Sequence, residues 1–537
     1  MCWLGWRRPR PNRPRSRAST NEPALPIIRT LPRARLRGGR SDALTPPVPT
    51  TELPAPAAAP ALPRASVAEL DASCRWPVLA LTSRALCWLI VASLLGVIAS
   101  IKLHGPGFLA NWSWLTYGRV QPAAWNAFVY GFLCQAGLAV GLWITCRLSG
   151  TPLLGRGTMV VATDFWNLGL LVGVVGILAG DSTGVETLEA PAYAAPILLA
   201  AYLGLAAWIV VTFHHRRERT VFISQWYVLG AVFAFPWLYA AANLGAVIAP
   251  LRGVLSAAVQ AWYAHNLFTL WFTFLGLAVL YYFLPKLTGL PVPSRALALF
   301  GFWSLALFSS FGGLQRYAGG PFPAYMISTS VVAGVLSLLP LLAVVLNLWP
   351  LVRGQWPKVR SVPAWWFITF AGGAFVVASL LGFASAFGWF RRATHFTLFT
   401  LATEQLSLRG FFALGLIGAL YYLVPRVVQR DWPSTRLIRL HFVCAAVGVV
   451  LSVLALGVGG ILHGSALNDP AAPFLAIVKV CVPFEGMATL ANTVLLVGDL
   501  ALVTNMGWLL FGCCRDRCLP VFRDWLRPPW APTETPP

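Results

Sequence analysis

The chain has 537 residues, of which 57% are hydrophobic and 11% charged, and its mean hydropathy is +0.69. Soluble globular proteins carry about twice that charged share, so an ordinary water-soluble fold is excluded. The formal net charge of +22 does not point to nucleic acid, because no basic soluble domain is there to make the contacts.

In chain order, the first segment is rich in Arg, Pro and Ala ("RRPRPNRPRSR", then "TPPVPTTELPAPAAAPALPR") and shows no hydrophobic period. It reads as a disordered cytoplasmic tail over 1–77. It lacks the apolar core of a signal peptide, so the first spanning helix is expected to act as its own insertion signal. From about residue 78, apolar runs long enough to cross a hydrocarbon core of about 30 Å recur. Twelve are expected, near 80–102, 124–146, 158–180, 193–213, 225–249, 260–284, 296–314, 324–349, 363–389, 396–424, 438–462 and 486–512. The expected fold is an all-α integral membrane protein, with a twelve-helix transmembrane bundle over 78–512 and a short basic cytoplasmic tail over 513–537.

Basic residues fall in alternate loops. One set holds Arg147, Arg156, the "HHRRER" run, Lys286, Arg295, Arg353, Lys358, Arg426, Arg430 and the C-terminal arginines, while an opposite loop carries Asp181, Glu186 and Glu189. The positive-inside rule then places both termini in the cytoplasm, in a multi-pass membrane protein surrounded by lipid. The ten cysteines give no disulfide framework, and those in helices read as small apolar groups. Only Cys513, Cys514 and Cys518 cluster, beside the membrane. No G-x-x-x-x-G-K-[ST] loop is present, which argues against an ATP-driven pump.

One imidazole, His265, stands in the otherwise apolar "AWYAHNLFTLWF", in the outer third of the sixth span. The same depth receives "GRVQPAAWNAFVYG" at the start of the second span, "FGGLQRYAGGP" at the end of the seventh and "THFTLFTLATEQLSLRG" at the start of the tenth. Polar groups at one membrane depth are tolerated only against protein or trapped water, so these segments are expected to build a site.

"WYAHN", followed sixteen residues after its His by "YYFLPK", then "FWSLALF" and "GALYYLVPR", resembles subunit I of the cbb-type haem–copper cytochrome c oxidases over roughly residues 79–510. The resemblance implies six histidines: two for a low-spin haem on the second and tenth helices, one for a high-spin haem on the tenth, and three for copper on the sixth and seventh. Imidazole suits both metals. His265 matches the sixth-helix copper ligand. Registering the other motifs puts Ala124, Thr403 and Gln405 at the haem-ligating positions, Gln315 and Arg316 at the paired copper positions, and Ser309 at the family's active-site tyrosine. Arginine has no lone pair to offer. A re-sited cluster from His104, His395 and His463 is disfavoured.

Filling of the vacated space is expected from Trp125, Glu404, Gln405, Arg409 and Arg316, with Glu404 or Asp499 as the partner of Arg409. Asn266 or a water is expected to satisfy His265. Asp164 reads as a hydrogen-bonded polar group near a helix end, Lys286 as a residue that snorkels to the inner interface, and Glu186 with Glu189 as a possible cation site of oxygen ligands. Three functions compete. The favoured one is a catalytically degenerate accessory or structural subunit of a respiratory complex, without cofactor and with cytochrome c-type membrane subunits as partners. The second is an active oxidase carrying haem b and copper. The third is a channel or transporter built on the polar cavity around Glu404, Arg409, Asp499 and Asn266.

Overall fold

The computed structural model describes the backbone over residues 65–526 and the side chains through 513 and at 515. The arginine- and proline-rich stretch up to residue 64, and the side chains of Cys514 and Cys518, lie outside the described residues. Among the described residues twelve helices are long and apolar enough to cross a membrane, and there is no strand. They are α1 (Val67–His104), α2 (Tyr117–Ser149), α3 (Arg156–Ala179), α4 (Ala195–His214), α5 (Ile223–Ile248), α6 (Val254–Thr288), α7 (Arg295–Tyr317), α8 (Ala324–Val352), α9 (Pro363–Ala384), α10 (Leu398–Val428), α11 (Thr435–Leu467) and α12 (Phe474–Leu526).

Both expected tail boundaries move. α1 begins at Val67, not 78, because Ser66 and Glu69 form a reciprocal cap: Glu69 N donates to Ser66 Oγ (3.2 Å), and Ser66 N donates to Glu69 Oε2 (2.8 Å). Such a box satisfies two donors that a helix start leaves open. At the other end α12 continues through Leu526, so the first half of the expected C-terminal tail is helical. α8 breaks at Ser337, between Ala324–Leu336 and Leu338–Val352; Pro340 cannot donate to the carbonyl four residues back and its ring crowds that carbonyl.

α2, α6 and α10 are the most completely buried spans and touch one another at the centre, while α12 returns to pack along α1 and α11. Aromatic rings interlock the central three: Trp143 of α2 stacks on Phe283 of α6 (centroids 6.1 Å, planes 6° apart), and Tyr422 of α10 meets Phe283 edge-on at 5.2 Å. Close approach needs small residues, and a Cβ on Gly276 of α6 would stand 2.4 Å from the Phe411 ring of α10. Each central helix also contains a π-helical stretch: Ala127–Leu133 in α2, Leu267–Thr273 in α6 and Leu406–Ala413 in α10.

Candidate functional site

Several of the residues singled out from the sequence stand just before those π-helical stretches. Ala124 precedes the one in α2, His265 the one in α6, and Thr403, Glu404 and Gln405 the one in α10. π turns often mark functional positions, since the extra residue redirects side chains. Three cavities meet at this level.

The first, about 140 Å³, lies between α1, α2, α10 and α12 and is lined by Ala124, Trp125, Glu404, Gln405 and Arg409. Arg409 is held from behind: its Nη1 is 3.6 Å from Asp499 Oδ2, and its guanidinium lies 4.4 Å over the Phe128 ring. Ser93 Oγ donates to the same Asp499 oxygen at 2.6 Å. Of the two expected partners Asp499 is therefore the one used, and Glu404 makes no ion pair among the described residues.

The second cavity, about 260 Å³, lies between α6, α7, α8, α9 and α10 and is lined largely by apolar groups together with His265, Ser309 and Gln315. The His265 ring packs on the turn that ends α7: a Cβ on Gly312 would fall 2.1 Å from its Nε2, and Gly313 has a φ of +100°. Gln315 is pinned. Its Oε1 accepts from Gly313 N (2.8 Å) and from the Ser330 hydroxyl of α8, and its own N donates to Ser330 Oγ at 3.1 Å.

The third cavity, about 630 Å³, faces the loops on the side where α2, α6 and α10 begin. It collects Glu186, Glu189, Glu404, Arg316, Thr403, His265 and His395. Arg316 Nη2 lies 3.6 Å from Glu186 Oε1, and Thr403 turns its hydroxyl back to Thr400 O at 2.8 Å. Glu189 accepts from Thr187 N (2.9 Å) and Asn126 Nδ2 (3.0 Å). Burial raises the Glu189 carboxyl to about 7, against the pull of those hydrogen bonds and with Glu186 adding to the rise. Burial lowers the His395 imidazole below its ordinary range.

One expectation is corrected. Asn266 neither lines a cavity nor satisfies His265; its Nδ2 donates to Trp262 O of its own helix at 2.8 Å, and its Oδ1 is buried without a partner. Glu186 meets Arg316, and Glu189 accepts from Asn126 and Thr187 N. Among the described residues no three of His, Cys, Asp and Glu converge as metal ligands. Nothing in the sequence pattern points to Ser330 or Ser93 as partners, because each lies on a different helix from the residue it holds. Of the other histidines, His104 pairs with Thr489 Oγ1 at 3.1 Å and His441 with Tyr421 OH at 2.9 Å. Asp164 pairs with Arg84.

Residues 77–494 match the family described as cytochrome c and quinol oxidase polypeptide I. The chain belongs to that family. It is similar to the cbb3-type cytochrome c oxidase subunit CcoN1 of Stutzerimonas stutzeri, 26% identical over 392 residues that cover 71% of this chain and 83% of that protein. A cytochrome c oxidase subunit 1 homolog of Azorhizobium caulinodans is 25% identical over 445 residues, covering 80% and 81% of the two chains. The cytochrome c oxidase subunit 1 of Rhodobacter capsulatus is 25% identical over 390 residues, covering 70% and 73%.

The chemistry of the lining groups tests whether haem or copper fits this family member. No imidazole, thiolate or thioether lines the cavity beside Ala124 and Gln405. Its phenol, Tyr117, is at the first residue of α2, about 10 Å along the axis from Ala124. Around His265 the neighbouring groups at the end of α7 are a pinned amide and an ion-paired guanidinium, and a guanidinium has no lone pair to give. These residues do not fit iron or copper held as six imidazoles would hold them.

Proposed function

We propose that this chain is a non-catalytic relative of oxidase subunit I, which keeps the twelve-helix scaffold and serves as an accessory or structural subunit of a membrane respiratory complex. The observation that carries the reading is the replacement of ligands by a settled polar packing. Where metal ligation would need lone pairs, Ala124 and Gln405 line a small cavity closed by Trp125 and by Arg409, itself fixed by Asp499 and Ser93. A cavity of about 140 Å³ is smaller than the roughly 300 Å³ at which pockets begin to enclose a drug-sized ligand, and haem is larger still. Unfilled voids cost stability in proportion to their size; beside Ala124 the space is largely filled, while cavities of about 260 and 630 Å³ remain on the His265 side.

A second feature supports a partner subunit. Arg84 of α1 and Asp164 of α3 pair on the outside of the bundle, with side chains 34% and 54% exposed, and Asp164 stands about 12 Å along α3 from its first residue. An ion pair turned to hydrocarbon at that depth is costly, and a neighbouring membrane helix would cover it. The bacterial relatives support a bacterial cytoplasmic membrane as the location of the complex, and the charge of the alternate loops supports both termini on the cytoplasmic side. The partners are cytochrome c-type membrane subunits.

The test is an absorption spectrum with iron and copper analysis of the detergent-purified chain. The expected preparation is colourless, with neither metal near one per chain, and His265→Ala leaves the visible spectrum unchanged. A Soret band at one haem per chain, or a band lost in the variant, overturns the reading.

A further inference from the structure

On the base-rich side of the bundle, the last turns of α2 and α6 and the first turns of α1, α5 and α7 leave a groove of about 670 Å³ between them. Three cations line it, Arg147, Lys286 and Arg295, and no carboxylate does among the described residues. Asp71, set behind the groove, balances only Arg147: its Oδ1 is 3.6 Å from Arg147 Nε and also accepts from Trp143 Nε1 at 2.9 Å. Arg147 Nη1 is left buried with no hydrogen-bond partner. Arg295 spends one nitrogen on Val221 O at 3.1 Å, and Lys286 makes no ion pair among the described residues. Below these charges the walls are apolar, formed by Leu70, Pro285, Val292 and Ile223.

A net positive mouth above apolar walls, at helix ends where a bilayer meets water, matches an amphiphile with an anionic head. Inorganic phosphate would use the charges and leave the walls wet; a neutral lipid would use the walls and leave the charges unpaired. Basic pockets between spanning helices bind acidic lipid headgroups for this reason. We propose that this groove binds one anionic glycerophospholipid, its phosphate between Lys286 and Arg295 at the mouth, with Arg147 adding its charge from the groove wall, and its acyl chains along Leu70 and Val292. The site does not depend on whether the chain carries haem.

The full-length chain, purified in detergent, would be incubated with phosphatidylglycerol, phosphatidylcholine or inorganic phosphate; retained lipid is counted by native mass spectrometry and the melting temperature followed by tryptophan fluorescence. The parent retains one phosphatidylglycerol and melts higher with it, while phosphatidylcholine and phosphate do neither. The double variant K286Q/R295Q keeps its melting temperature in phosphatidylcholine but binds phosphatidylglycerol about thirty-fold more weakly, from roughly five-fold per basic residue. The conservative K286R/R295K restores binding, which separates charge from folding. Equal retention of the two lipids, an unchanged affinity in K286Q/R295Q, or a shift reproduced by phosphate alone would each overturn the assignment.

Discussion

Replacing Asp499 by Asn probes the arrangement that fills the space beside Ala124. At 3.6 Å, with side chains 14% and 8% exposed, the Arg409–Asp499 attraction is roughly 5 kcal/mol at an effective dielectric of about 20. Much of that offsets the cost of taking both charges out of water, so the pair contributes little against two apolar residues of similar size. Removing one partner is different, because it leaves the other charge buried without compensation, at a cost of about 3–5 kcal/mol. Asn retains a side-chain oxygen for the Ser93 hydroxyl, so Asp499→Asn isolates the charge from the hydrogen bond. At about 2 °C per kcal/mol, the low end for long chains, the melting temperature in detergent falls by about 6–10 °C. Glu404→Gln serves as the control and moves it by less than about 2 °C, since Glu404 has no ion pair with Arg409. The apolar double variant R409M/D499L recovers to within about 2 °C of the parent. A silent Asp499→Asn alongside a destabilising Glu404→Gln would refute the assignment of Asp499 as the counter-charge of Arg409.

The packing of His265 on the α7 turn makes Gly312→Ala costly, by about 1–3 kcal/mol of overpacking, because the added Cβ falls 2.1 Å from Nε2. His265→Ala in the same chain relieves most of that loss, and additive losses in a double-mutant cycle would show that the ring does not meet the turn. For Glu189, the folded carboxyl titrates at about 7 against an ordinary 4.5, so the folded state holds its proton more tightly than the unfolded one. Stability from this group is complete below about pH 4.5 and declines as pH rises through 7, by on the order of 3 kcal/mol in all. Melting curves between pH 5 and pH 8 show this slope, and Glu189→Gln flattens it; an unchanged slope in the variant assigns the pH dependence to other groups.

The spans are readable in the sequence because twenty-residue apolar runs have few alternative uses. The order of motifs is readable because strings such as "YYFLPK" and "GALYYLVPR" are the packing surfaces of α6 and α10, where Phe283 and Tyr422 meet Trp143. The start of α1 is legible in principle, since Ser66 and Glu69 stand at capping-box spacing. Hydropathy alone misses it by discounting a turn that holds Glu69, Asp71 and Arg75. Asp71 is buried all the same, its partners Trp143 and Arg147 supplied by the far end of α2. The candidate site is legible only as a set of positions. That Asp499 and not Glu404 holds Arg409, that Ser330 pins Gln315, and that Asn266 points back to its own helix depend on tertiary neighbours that no local pattern encodes.

The π-helical stretches in α2, α6 and α10 have a consequence for how such a chain can drift. One inserted residue turns everything beyond it by about 100° around the helix axis, so each central helix presents separately oriented faces above and below the insertion. Mutations in the upper portion alter what projects into the vestibule without re-registering the aromatic interlock beneath it. A lineage can thus rewrite one storey of the building while the foundations keep their original joinery.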